Sequence, residues 1–453
     1  MAANDVIANL WEWPWTSVAA ECTGRLGPDG YAAVQVAPPE DSLDVDKHPW
    51  WDVYQPVGYD LNSRFGTKDE FAAMVTACHA AGVKVYVDAV INHMTGGQSS
   101  TAGYGGATYT ADRHFPDAGY TPGDFHAYPV DCPTSDGQIS DYNDVTQVQN
   151  CNLLGLSDLR TESDHVRDAI AGYLNSMIAL GVDGFRIDAA KHIPVADLAA
   201  IKAKLTKQPF WVQEVIPGVP PMADYESLGR VLEFNYARNL RGQFVTGISG
   251  LKGYGTGGVY EPSDSAVVFV TNHDTERDDS TLDYTDGSIY QLANVFMLAW
   301  NYGIPTVFSG FTFTDYDQPP PSDATGFVKP VVCDDGWECE HRRMAGMVAF
   351  HNATHGDPTV SNWWDDGSNA IAFSRGPADR ALGWVAINAG DSPTTQAFQT
   401  GLRAGTYCDL VRGKPSAGSC VGAPITVDGS GVAHVTVAPK SAVAILAAPR
   451  TAG

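Results

Sequence analysis

Eight short apolar or β-branched runs, many of them followed by a segment with helical spacing, constrain the fold of this 453-residue chain more than any other feature. They span residues 6–13, 32–38, 84–92, 184–190, 211–215, 230–236, 266–274 and 304–310. Between them, 67–82 and 162–181 carry apolar residues at helical intervals and end at Gly82 and Gly181, as helices commonly do. Strands alternating with helices imply a parallel sheet. Eight such units fit an α/β fold closed into a (β/α)8 TIM barrel.

One interval breaks the rhythm. Residues 93–158 are rich in Gly, Tyr, Asp and Thr, and a structureless loop of that length would be uncommon, so the stretch reads as a subdomain inserted after the third strand. Beyond about residue 357 the runs become short strands at 369–375, 380–388, 406–411 and 431–439, separated by Gly, Asp and Pro turns. That pattern predicts a C-terminal antiparallel β-sandwich. The expected division is a barrel of 1–92 and 159–357, an insert of 93–158 and a β-domain of 358–453.

Charge narrows the partners. With 53 acidic against 28 basic residues the net charge is −25, a field that repels phosphate backbones and leaves neutral or cationic ligands, or metal cations. Nucleic acid is excluded on this ground. No apolar stretch approaches the ~20 residues that span a bilayer, so no membrane partner is expected. Residues 1–11 lack the basic start and apolar run of a signal peptide and read as a mature N-terminus with an added start. Eight cysteines fall into locally plausible pairs, Cys22 with Cys78, Cys132 with Cys151, Cys333 with Cys339 and Cys408 with Cys420, and none has zinc-type spacing. A core this large does not need disulfides, so they point to an oxidising, extracellular setting, with connectivity left open.

The chemistry lies at the strand ends. "GFRIDAAKH", residues 184–192, places Arg186 and Asp188 on an otherwise apolar run, and barrel enzymes keep their sites at the C-terminal ends of such strands. "WVQE" brings Glu214 to the end of the fifth run and "FVTNHD" brings Asp274 to the end of the seventh. Clustered carboxyls raise one another's proton affinity, so one can serve as general acid while another, kept ionised by Arg186, attacks. That division of labour suits glycosidic bond cleavage. Neither a Gly-rich phosphate loop nor a GxSxG nucleophile turn is present.

In order and spacing, "DAVINH" (88–93), "GFRIDAAKH", "WVQEV" (211–215) and "FVTNHD" (269–274) resemble the four signature segments of the α-amylase family of glycoside hydrolases. "LWEWPW", "PWWDVYQPVGYDL", "DYNDVTQVQNC" and "DDGWECEHR" extend the likeness to its animal and actinobacterial secreted members across nearly the whole chain. The resemblance implies that Asp188 is the nucleophile, Glu214 the acid and then base, and Asp274 the residue that holds sugar hydroxyls at the transition state, with His273 beside it. It implies glucose subsites lined by His93, Arg186, Lys191 and His192, and an aromatic segment of Trp50, Trp51, Tyr54 and Gln55 in which Trp51 and Tyr54 stack on sugars. Retention of configuration follows, with nucleophile and acid ~5–5.5 Å apart.

A structural Ca²⁺ is implied at Asn92, Asp158 and the carbonyls of Gln149 and His192, all hard oxygen ligands. Many animal relatives also bind chloride. Arg186 and Asn272 match two of its ligands, but "FSGFTFTD" after the eighth strand supplies no third basic residue, so no functional chloride site is expected. The implied substrates are starch, glycogen and malto-oligosaccharides, cut internally by a secreted monomer with no granule-binding module after the β-domain. Glucosyl transfer or α-1,6 cleavage would need only small subsite changes. A non-catalytic glycan-binding barrel would lack the acids that are present here, and a barrel oxidoreductase would need a nucleotide signature that is not seen.

Overall fold

A computed structural model describes residues 4–96, 100–414 and 420–447; residues 1–3 of the N-terminal stretch read above lie outside it. Eight parallel strands close a barrel: β1 (Ile7–Leu10), β2 (Ala33–Val36), β3 (Lys84–Ala89), β4 (Gly184–Ile187), β5 (Phe210–Gln213), β6 (Arg230–Leu232), β7 (Ala266–Phe269) and β8 (Ile304–Ser309). Each pairs with its neighbour in chain order, and β8 returns to β1 with Ile7 opposite Thr306. Seven of the eight runs read from the sequence contain one of these strands, and the fifth, 211–215, overlaps Phe210–Gln213, which begins one residue earlier.

The helices follow from local signals. Thr67 caps Lys68–Ala80 in a reciprocal box with Glu70, and Ser163 caps Asp164–Leu180, which Gly181 ends in the left-handed conformation at φ 107°. Their apolar faces cover the barrel. Its lower interior is filled by Ile7, Ala33, Tyr86, Val212, Leu232 and Val267, with Phe210 stacked on Tyr86 at 4.5 Å.

At two places the regular strand ends where a side-chain oxygen accepts from nearby backbone N–H groups. The seventh run reaches Asp274, yet β7 stops at Phe269, and the Asn272 amide oxygen then accepts from the N–H groups of Asp274 and Thr275. In the β-domain, 406–411 reads as one strand, but only Gly405–Tyr407 pairs. Asp409 accepts from Val411 N–H and Ala444 N–H and starts a 3-10 turn.

Between β3 and β4 the described residues of the inserted segment are mostly turns, with one α-helix, Val145–Asn150, and a two-residue antiparallel pairing of His93–Met94 with Ser157–Asp158 that brings its two ends together. After the barrel, β9 (Val360–Asp365), β10 (Ala370–Arg375), β11 (Gly383–Asn388) and β16 (Ser441–Leu446) form one antiparallel sheet. A second holds β12 (Thr394–Gln399), β15 (Val432–Val437), β14 (Ile425–Val427) and β13 (Gly405–Tyr407). Trp384, Ala386 and Ile445 of the first meet Phe398, Ala433 and Val435 of the second in a core of their own. Arg375, fully buried, fastens this domain to the barrel by donating to the carbonyls of Ala299, Trp300 and Asp357. Gly346 lets the two approach: a Cβ there would meet the Leu410 carbonyl oxygen at 1.9 Å.

All eight cysteines are paired, in the four combinations read as plausible. No helix among the described residues is long and apolar enough to cross a membrane.

Candidate active site

The ends of β3, β4 and β5 converge on one guanidinium. Arg186, 1% exposed, reaches Asp188 at 2.6 Å and Asp88 at 2.7 Å through one terminal nitrogen, and Glu214 at 2.8 Å through the other. Arg186, expected from its spacing to serve Asp188, is shared among three carboxylates. A single cation cannot neutralise three buried anions, so the group is short of positive charge and takes up a proton. Burial pushes both Asp188 and Glu214 up to about 7 against the opposing pull of Arg186, and the neighbouring carboxylates push the same way. Asp88 is pushed to about 6, again by burial first.

Local backbone presents these groups together. Ala189 follows Asp188 in the left-handed region at φ 47°, a conformation a non-glycine residue enters at a cost. Its N–H thereby donates to Glu214 Oε2 at 2.8 Å, and Lys191 N–H donates to the Glu214 carbonyl. Strain after β4 thus orients the carboxyl of β5.

Asp274, whose side chain is 41% exposed, is the open acid of the set, with His273 Nε2 at 3.3 Å. The His273 ring is held between Trp11 and Tyr54, each stacked at 5.0 Å, and burial drives it down to about 3, so it is neutral. Tyr54 donates to Asp88 at 3.0 Å and accepts from the Trp11 indole at 3.1 Å. One aromatic layer therefore joins the acid cluster to Asp274. Behind it Arg277 donates to the His273 carbonyl and to Glu276, while its guanidinium packs on the rings of Trp11, Trp50, Phe311 and Phe313.

Of the aromatic segment, Trp50 is 6% exposed and stands edge-on to Trp11, Tyr54 and His273, inside the wall. Trp51 is only partly buried and its indole donates to Asp317. The Gln55 carboxamide accepts from Thr95. His93 Nε2 donates to the Tyr54 carbonyl at 3.0 Å, and burial holds its ring at about 4. Lys191 is 7% exposed with its ammonium over Gly218, where a Cβ would lie 2.9 Å from Nζ. His192 donates from Nδ1 to the Val148 carbonyl at 2.7 Å, tying the barrel to the helix that carries Gln149.

The four residues named for calcium fall into two adjoining contacts. Asn92 and Asp158, each 1% exposed, face each other with Asn92 Nδ2 3.4 Å from Asp158 Oδ1. Since His93 uses Nε2–H as a donor, its Nδ1 accepts from Asn92 Nδ2, an arrangement that leaves the amide oxygen as the ligand. Gln149 and His192 sit on the two segments joined by the Val148 bond. An amide oxygen, a carboxylate and two carbonyls suit a hard cation. His126, missed in the sequence, holds Asp158 Oδ2 at 2.6 Å and Glu162 at 3.2 Å; flanking carboxylates raise its proton affinity against the effect of burial.

Asp88 and Trp11 were also missed. The signals for Asp88 were an acid within the apolar run "KVYVDAVIN" and its place at the head of the segment "DAVINH".

Residues 30–213 match the model of the α-amylase catalytic domain, and residues 361–448 that of the α-amylase C-terminal all-β domain. The chain is 47% identical to an α-amylase of Streptomyces violaceus, an alignment covering 98% of this chain and 74% of that protein. It is 44% identical to an α-amylase of Thermomonospora curvata, covering 99% and 74%. Among solved structures, wild-type α-amylase I from Eisenia fetida superposes with a TM-score of 0.91 at 38% identity, covering 98% of both chains.

Proposed function

The chain belongs to the α-amylase family of glycoside hydrolases, and on that premise we propose how its own residues carry out the hydrolysis of starch-like glucans. The protein is an endo-acting α-amylase: it hydrolyses internal α-1,4-glucosidic bonds by double displacement, with retention. A carboxylate of Asp188 attacks C1 of the glucosyl unit while Glu214 delivers its proton to the glycosidic oxygen, giving a glucosyl ester and a free chain end. Glu214, now ionised, takes a proton from water as that water attacks C1, which frees Asp188. Asp274 and neutral His273 bind the sugar hydroxyls and favour the oxocarbenium-like transition state.

The observation that carries this reading is the shared guanidinium, which joins Asp188 and Glu214 through its two terminal nitrogens. The pair takes one proton between them. In the reaction assigned here Asp188 is the ionised member that attacks, and Glu214 carries the proton that it delivers. Trp51 and Tyr54 offer ring faces to sugar C–H groups, with Trp50 supporting them from behind and Gln55, His93, Lys191 and His192 at the subsite edges. Starch, glycogen and malto-oligosaccharides are the substrates.

Asn92, Asp158 and the carbonyls of Gln149 and His192 would hold Ca²⁺, which would brace residues 93–158 against a barrel formed by 1–92 and 159–357; residues 358–453 form the β-domain. No functional chloride site is expected, because the segment after the eighth strand supplies no basic residue to join Arg186 and Asn272. Four disulfides suit a secreted, extracellular monomer.

The test is turnover of maltohexaose by Asp188→Asn and Glu214→Gln. Each is expected to lose about 10²-fold or more, the scale of acid–base catalysis, while still binding the oligosaccharide. Wild-type turnover in either variant would overturn the assignment.

A further inference from the structure

The loop after β8 grips the aromatic segment by both of its indoles. Trp50 donates its indole N–H to the Tyr316 carbonyl at 2.8 Å, and Trp51 donates to Asp317 Oδ1 at 2.9 Å. Two adjacent tryptophans are thus fixed by two adjacent residues that lie 266 positions further along the chain. The loop is shaped to meet them. Gln318 accepts from Thr314 N–H at 2.9 Å and donates to the Thr312 carbonyl at 3.1 Å, and Asp315 accepts from Asp317 N–H at 3.0 Å, so the Asp317 backbone is set independently of its carboxylate. Arg64, 1% exposed, keeps the two segments in register by donating to the carbonyls of His48 and Pro49 on one and of Gly326 on the other.

The two indole bonds differ in kind. Trp50 is buried among rings, and its acceptor is a backbone carbonyl that any residue would supply. Trp51 is only partly buried, so packing fixes its ring less, and its acceptor is a side chain. A ring that is not already held must be ordered by the ligand that stacks on it, at a cost of about two- to tenfold in affinity for one side chain. We propose that Asp317 is a positioning residue for glucan binding, a role that rests on the reading of Trp51 as a sugar-stacking ring. By accepting the Trp51 N–H, the carboxylate holds the indole ready for a sugar and acts through that ring alone.

The experiment is a mutant cycle on the full chain with Ca²⁺ present and maltohexaose as substrate: Asp317→Ala, Trp51→Phe and the two together, with Asp317→Asn and Trp51→Ala alongside. Asp317 is exposed, so its variants are expected to fold. Asp317→Ala should raise KM about two- to tenfold with kcat within about twofold, the mark of lost ground-state binding, whereas general damage to the fold lowers the active fraction and leaves KM unmoved. Asp317→Asn keeps an acceptor oxygen and should stay near the wild-type KM. Phenylalanine keeps a ring but has no N–H, so in the Trp51→Phe background Asp317→Ala should have no further effect. An unchanged KM in Asp317→Ala, while Trp51→Ala raises it, would overturn the positioning role alone; an unchanged KM in Trp51→Ala as well would overturn the stacking reading and the role with it. An effect of Asp317→Ala that persists in full beside Trp51→Phe would overturn the proposal by showing that the carboxylate meets the sugar directly. Asp317→Asn losing as much as Asp317→Ala would overturn it by making charge, not the hydrogen bond, the cause.

Discussion

Replacing Asp88 by asparagine removes one negative charge from the cluster on Arg186 while nearly preserving its shape. Asp88 and Asp188 touch the same guanidinium nitrogen at 2.7 and 2.6 Å, so their oxygens lie within about 5 Å of each other. At an effective dielectric of about 20, two charges at that distance repel by roughly 3 kcal/mol, or about 2 pH units of proton affinity. Burial holds Asp188 and Glu214 up near 7, and the Asp88 charge adds to this, so its removal lowers both. The sign is fixed: the active form carries one proton on the pair, and the variant must lose that proton at lower pH. The kcat/KM profile on a malto-oligosaccharide should therefore shift to acid by at least about one unit on its basic limb. Activity at neutral pH should fall, because asparagine keeps one oxygen for Arg186 or for Tyr54 but not for both. A variant that loses activity with both limbs unmoved would refute the shared-proton account and leave Asp88 a purely structural role.

Chelation of the calcium-loaded protein should lower its melting temperature, with recovery on adding Ca²⁺; an unchanged melting curve would count against the oxygen-ligand site. Added chloride should leave turnover unchanged, and a severalfold rise would show an anion site that Arg186 and Asn272 can complete without a third cation. Glu21 is buried, which pushes its carboxyl up, but hydrogen bonds from His341 and Arg342 outweigh this and hold it at about 2. A depressed carboxyl contributes stability above its unfolded value of about 4.5 that is lost as pH falls toward 2, here about 3 kcal/mol. Glu21→Gln should thus destabilise at pH 7 in denaturant titrations, with the difference shrinking below about pH 4.5, and a pH-independent difference would contradict the reasoning.

The barrel was legible because each strand, buried on both faces, leaves a short continuous apolar run, and because Thr67, Ser163 and Gly181 mark helix ends chemically. The second sheet of the β-domain was much less so. β12 has one buried residue, Phe398, among exposed Thr and Gln, and β14 is three residues long, so neither leaves a periodic signal. In the site, residues at strand ends could be found because charge stands out against an apolar run. The roles of Asp88 and Trp11 could not, since they come from contacts across the barrel: Asp88 meets an arginine 98 positions away, and Trp11 meets a tyrosine 43 positions away. His126 sits in the insert, where no periodicity marks which side chains turn back toward the barrel.

The central claim is internal cleavage with retention by the Asp188–Glu214 pair. It is tested most directly by following iodine colour, reducing ends and the anomer of fresh products together while the protein acts on soluble starch with Ca²⁺. The account predicts that colour collapses while few reducing ends have appeared, and that the first products are α-anomers. First products of the β form, or starch bound but uncut, would contradict it.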